Sequence, residues 1–178
     1  AEREIAPRSQ LGPHAWVTGG DGLVYGDLEY RGRYRIHSDV WRAGVNGTRQ
    51  RLTRGARLAQ PDLHPDGATL VAVRSGGGST ELVVGALAGE EPQPLLPADD
   101  GVHWAYPRWS PSGEEIAAIR WLPGGLVDLA VVNRSTGSVT EITRDRALEG
   151  APAWSPDGRY LLFWSDRSGI PNLYAQSR

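Results

Sequence analysis

A turn phrase returns along the chain at an almost constant interval. It reads "SPDG" at Ser155–Gly158, "SPSG" at Ser110–Gly113 and "HPDG" at His64–Gly67, with a worn copy, "GGDG", ending at Gly22. Its last glycines stand 45, 46 and 45 residues apart. Proline sets φ for the first corner of a turn, Asp or Ser bonds back to nearby backbone, and glycine accepts a left-handed conformation. In the last copy Trp154 precedes the turn and Tyr160, Leu161, Leu162, Phe163 and Trp164 follow it, all residues suited to a pleated, half-buried surface. Each copy therefore predicts a β-hairpin, four times over.

Two further landmarks keep pace with the turn. A polar residue opens the next strand at Asp39, Glu81, Asp128 and Asn172, which lie 17, 14, 15 and 14 residues after the turn glycines. A closing phrase follows at Gln50–Thr53, Gln93–Pro97 and Thr140–Thr143. Each unit thus holds four strands, with expected boundaries at 11–55, 56–97, 98–143 and 144–178, the last lacking its fourth strand. Units of ~40–50 residues with four strands are the pattern of propeller blades, whose sheets fan round an axis and bury both faces against their neighbours. The near-continuous apolar runs "TLVAV", "IAAI", "YLLF" and "LAVV" fit sheets covered on both sides. The fold class is all-β, a β-propeller of about four four-stranded antiparallel blades within a single domain.

The phrase "PAWSPDGRYLLFWSDRSGIPNLY" resembles the repeat of TolB-like β-propellers, with its Pro-x-Trp-Ser-Pro-Asp-Gly turn, apolar strand, Ser-x-Arg-x-Gly hairpin and Leu-Tyr strand. The match is close in the last unit and good at Pro107–Gly113. It is looser at Pro61–Gly67, where Leu63 and His64 replace Trp-Ser, and faint at His14–Gly22. Together it covers nearly the whole chain. The resemblance implies a propeller scaffold at the bacterial envelope, in a periplasm-like location, that holds protein or peptide partners. The motif residues build blades and touch no substrate, so the resemblance specifies fold more tightly than function.

Composition sets limits. The 178 residues suit one domain, and 23 Gly with 13 Pro fit a turn-dense all-β chain. No apolar run approaches the ~20 residues of a membrane-spanning helix, so no membrane insertion is expected. With no Cys there is neither a disulfide framework nor a thiolate metal site. At the start, Glu2–Ala6 resembles a fourth strand, because Ile5 precedes Trp16 by the 11 residues that separate Leu52 from Leu63. It either completes the last unit and removes a raw sheet edge, or belongs to an adjoining blade of a larger ring; a dimer of half-rings is the third arrangement.

The chain offers little catalytic chemistry. It has no Gly-x-Ser-x-Gly elbow, no His-Glu-x-x-His, no phosphate loop and no lysine. "SGGGST" at Ser75–Thr80 falls where a hairpin must turn and reads as that loop. The four histidines show no ligand spacing. No cofactor, metal or catalytic residue is assigned.

Three features stand as partner-binding candidates. The residue between Pro and Trp in the innermost strand of each unit is Ala15, Asp62, Arg108 or Ala153. Asp62 and Arg108 on neighbouring blades meet either as a recognition point in the funnel or as an ion pair that satisfies buried charge. The long connection Asp99–Tyr106 carries His103, Trp104 and Tyr106, whose rings either anchor a partner or pack between blades. From Arg31 to Arg57 eight arginines stand against one acid, Asp39, in a chain of net charge −2. Arg31, Arg33 and Arg35 alternate along the arm of a longer hairpin. Such a patch suits a carboxylate-rich partner or a phosphate, or else is a merely solvated outer edge; nucleic acid is not expected, because no stacking platform is interleaved with the arginines and the total charge is not basic. Two functions follow: a non-catalytic partner-binding scaffold, or the gating propeller of a larger prolyl-oligopeptidase-like peptidase whose catalytic domain lies outside this chain.

Overall fold

The computed structural model describes residues 4, 6 and 12–178, apart from 32, 34, 88–90, 98 and 100. Among them every regular element is a β-strand. The first sheet holds β1 (His14–Trp16), β2 (Gly22–Arg31), β3 (Arg35–Gly44) and β4 (Arg49–Arg51). The second holds β5 (Leu58–Leu63), β6 (Thr69–Gly76), β7 (Ser79–Ala86) and β8 (Gln93–Pro94), and the third β9 (His103–Trp109), β10 (Glu115–Leu122), β11 (Leu126–Asn133) and β12 (Val139–Glu141). The fourth has three strands, β13 (Glu149–Trp154), β14 (Tyr160–Ser165) and β15 (Asn172–Ser177). Within each sheet neighbours pair antiparallel. A single parallel bridge, Thr80 with His103, links the second sheet to the third, and another, Val127 with Leu148, links the third to the approach of the fourth.

The sheets pack face to face, and alternation along each strand explains why the strands are apolar throughout. On β6, Leu70 and Ala72 join Val24, Val40 and Leu58 in a core between the first and second sheets. Val73 on the same strand turns the other way, into a core with Leu82, Trp104, Ala118, Ala130 and Val132. Likewise Ala117 and Ile119 of β10 pack with Leu129, Val131, Leu161 and Phe163. In the last sheet only one face is covered: Leu161, Phe163 and Ser165 are buried while Tyr160, Leu162 and Trp164 are exposed. Among the described strands, β13–β15 pack against none of β1–β4. The expected strand Glu2–Ala6 lies outside the described residues, save Glu4 and Ala6, which are not in a strand.

The first strands β1, β5, β9 and β13 touch in succession and form the inner edge of the fan. Each turn that follows has its glycine N–H bonded to the carbonyl three residues back: Gly20 to Val17, Gly67 to His64, Gly113 to Ser110 and Gly158 to Ser155. All four glycines have φ of +70 to +75°. The first turn glycine is therefore Gly20, two residues before the Gly22 expected from the sequence, and Gly22 opens β2. Asp39 likewise sits inside β3 and does not open it. The "SGGGST" stretch is a hairpin turn, with Gly77 and Gly78 at φ +58° and +86° between β6 and β7.

Candidate functional site: the inner strands and the basic arm

A kink recurs where the inner strands approach one another. Gln60, Tyr106 and Ala151 have φ of +52°, +53° and +48° and stand immediately before Pro61, Pro107 and Pro152. At each, two residues of the inner strand face one of its neighbour, the signature of a β-bulge. Left-handed non-glycine residues cost of order 1–3 kcal/mol each. The bulge re-aims the next side chain across to the following sheet. Thus Asp62 Oδ2 accepts a hydrogen bond from the Trp109 N–H at 2.7 Å, and Gln60 Oε1 accepts one from the Tyr106 N–H at 2.6 Å. One sheet further on, the Trp154 indole N–H donates to the Arg108 carbonyl at 3.1 Å.

Asp62 and Arg108 do meet: Arg108 Nη1 lies 3.9 Å from Asp62 Oδ1. The contact is loose, because Arg108 also donates to the Pro107 carbonyl. Burial pushes the Asp62 carboxyl above its ordinary value, against the opposing pull of Arg108 and of the Trp109 and Leu63 N–H groups. Asp62 and Arg108 are half-buried and Tyr106 is exposed, so the pair and the phenol together present polar groups at the inner edge.

The Trp104 ring is 7% exposed and belongs to the core between the second and third sheets, beside Leu95 and Leu96. Of its two expected parts, partner anchor and packing between blades, the buried ring takes the second; it also lines a cavity of about 330 Å³ with Leu96, Asp99, Val102, Arg120 and Val139. His103 is half-buried and held by the bridge to Thr80.

The arginine run is also less naked than its composition. Arg42 pairs with Asp21 at 3.1 Å, Arg49 with Asp27 at 2.7 Å, and Arg51 with both Glu29 and the wholly buried Asp39. Asp21, Asp27 and Glu29 precede the run in sequence, and only the register of the first sheet brings them to it. Arg31 and Arg35 are register partners at the end of the long first hairpin, and Arg33 sits in its turn. Among the described residues Arg33 and Arg35, with Arg54 and Arg57 in the connection from β4 to β5, are left without carboxylate partners.

A set of buried carboxylates was missed by the sequence reading. Asp39 accepts from Arg51, Thr53 Oγ1, and the Gly55 and Ala56 N–H groups, at 2.6 to 3.1 Å. Glu149 accepts from Thr143, Ser165 and Arg167. Both tie a between-sheet connection to the sheet beside it. Burial pushes the Asp128 carboxyl above its ordinary value, against the Asp145 N–H and Arg120. For Asp39 and Asp128 the signal available was the acid that recurs in the third strand of the first three units; Glu149, on the first strand of the last unit, carries no such signal. His64 occupies the second turn and reaches the third, with Nε2 3.2 Å from the Gly113 carbonyl. Among the described residues no three His, Asp or Glu side chains converge as metal ligands do.

No model of a known protein family matches the chain. The Tol-Pal system protein TolB of Bordetella pertussis is 33% identical over 93% of this chain and 52% of its own length. Crystal structures of TolB from Acinetobacter baumannii and of a puromycin hydrolase each superpose with a TM-score of 0.75, at 19% and 17% identity. They cover 94% and 98% of this chain, and 40% and 31% of the solved chains. The chain therefore spans about half the length of the relative and less of each structure.

Proposed function

We propose that this chain, a TolB-like β-propeller, is a non-catalytic scaffold that holds a protein or peptide partner at the inner edge of its sheets and on the adjoining loop face. The observation that carries the reading is the inner edge itself. There Asp62, Arg108 and Tyr106 expose polar groups on strands locked by bulges and by bonds from one sheet to the next. Rigid strands that present a few half-exposed polar and aromatic groups bind a partner with little ordering cost. None of these groups forms a nucleophile–base pair, which suits recognition better than catalysis. An envelope-side, periplasmic setting is part of this proposal, supported by the likeness to the Tol-Pal system protein.

The likeness to a puromycin hydrolase supports a second reading, the gating propeller of a larger peptidase. Two measurements separate them. The reading frame that encodes the chain holds further blades under the first reading, and a nucleophile elbow with its histidine under the second. Proteins captured from a periplasmic extract on the immobilised chain should be identified and their affinities measured against Arg108→Ala and Tyr106→Ala. A loss of roughly tenfold or more, about 1.4 kcal/mol, with unchanged thermal unfolding is expected. Affinities indifferent to both variants overturn the placement at the inner edge.

A further inference from the structure

The junction between the first and second sheets departs from the other two. At the later junctions the residue just before the recurring acid, Thr80 or Val127, makes a parallel bridge to the approach of the next inner strand, at His103 or Leu148. The corresponding residues at the first junction are Ser38 and Arg57, and among the described residues no bridge joins them. Asp39 holds the Gly55 and Ala56 N–H groups, and the chain then turns through Arg57 in a left-handed conformation, φ +57°. A groove of about 550 Å³ lies where the bridge would have been. Ser38, Arg57, Ser75 and the Gly76–Gly78 turn line it, with Leu28 and Ile36 as its apolar wall.

The height of the hairpins extends that wall. β2 and β3 are ten residues each, whereas β6 and β7 are eight, so the first hairpin overhangs the glycine turn of the second. Tyr30 and Ile36 are register partners on the same face as Leu28 and Ser38, the face turned toward the second sheet, and they are 66% and 57% exposed. The floor is polar and positively charged: glycine amides, serine hydroxyls and the exposed guanidinium of Arg57, which among the described residues has no carboxylate partner. Arg33 at the tip of the arm and Arg54 in the same connection extend the charge beyond the groove.

We infer that this groove binds an extended acidic peptide segment of a protein partner, its carboxylates toward Arg57 and the glycine turn and an apolar side chain against Ile36 and Tyr30. The inference rests on the scaffold reading but names a second place, away from Asp62 and Arg108. One guanidinium in the groove, that of Arg57, with those of Arg33 and Arg54 beyond it, matches a chain of carboxylates better than a single small anion. An apolar wall beside them selects a peptide over nucleic acid, since a nucleic acid would need a series of stacking rings.

The test uses the whole chain and a fluorescein-labelled peptide of four Leu-Asp repeats, with the Leu-Asn peptide and an oligo-dT strand as comparisons, followed by fluorescence polarisation. Binding of the Leu-Asp peptide is expected to weaken about tenfold or more in Arg57→Glu and in Ile36→Asp. Both sites are exposed, and circular dichroism verifies the fold. It should also weaken with added salt, persist in Arg108→Ala, and shift the amide resonances of Gly77 and Gly78. Equal binding of the Leu-Asn peptide, tighter binding of oligo-dT, or indifference to both groove variants overturns the inference. Loss in Arg108→Ala alone removes the groove and leaves the inner-edge reading standing. Loss in the groove variants alone, together with partner affinities indifferent to Arg108→Ala, does the reverse.

Discussion

Replacing Asp39 by alanine should be among the most damaging single changes in the first sheet. The side chain is wholly buried and takes four donors: the Arg51 guanidinium at 2.6 Å, the Thr53 hydroxyl at 2.8 Å, and the Gly55 and Ala56 N–H groups at 2.9 and 3.1 Å. Each donor left buried without an acceptor costs about 1–3 kcal/mol. Not all of that is lost, because Arg51 keeps Glu29 and the connection through Gly55 is only half-buried, so water recovers part. The net loss expected is about 3–5 kcal/mol, the usual result of removing one partner from a buried charged pair. With a urea m value of about 2 kcal/mol per molar, the unfolding midpoint should fall by roughly 1.5–2.5 M. Asp39→Asn should fall between the two, since an amide turns its own N–H groups toward two of the donors. Thr53→Val also takes the acceptor from the buried Val40 N–H, so it should cost about 2–3 kcal/mol and should be non-additive with Asp39→Ala, because the two share a bond. A loss under about 1 kcal/mol for Asp39→Ala, below what one unmade buried bond costs, would refute the view that this carboxylate fastens the connection.

Trp104→Ala should destabilise the chain by about 3–5 kcal/mol as a large-to-small core change, whereas Trp121→Ala, at 53% exposure, should stay within about 0.5 kcal/mol; paired urea titrations check both. The raised Asp62 carboxyl means that the folded state holds its proton more tightly than the unfolded chain does. Stability attributable to this group should therefore fall as pH rises from the ordinary carboxylate value of 3.8 through the raised one. Comparison of wild type with Asp62→Asn across that window should show the decline in wild type and its absence in the variant; a direct carboxyl titration at or below 3.8 would contradict the assignment.

The periodic part of this fold was legible because each of its parts is local. Proline, acid and glycine in one phrase make a turn wherever they stand, and apolar runs on both sides of it make the strands. The four-stranded antiparallel sheets and the long first hairpin both follow from that reading. The first turn was misplaced by two residues because Gly19-Gly20-Asp21-Gly22 offers several glycines, and only the Gly20–Val17 bond selects among them. What depends on register across sheets was harder. Arg49 and Arg51 meet Asp27 and Glu29 through the pairing of three strands, which no short window contains. Trp104 looked the same as a buried ring or an exposed anchor, since an aromatic on a connection carries no mark of which side it faces. Asp62 and Arg108 were brought together correctly because both occupy the same place in consecutive units, so the period itself predicts their proximity.

The ties along the inner edge share one span. Gln60 to Tyr106, Asp62 to Trp109, Arg108 to Trp154 and His64 to Gly113 are 46 to 49 residues apart, one unit each time. Cohesion is thus passed from each sheet only to the next, in the manner of a one-dimensional chain of coupled units. Such a chain yields first where a sheet has a neighbour on one side alone, and among the described residues β15 is exposed along most of its length. Whatever docks beside β15 would act as a stopper, and its grip would be felt, unit by unit, at the opposite end of the row.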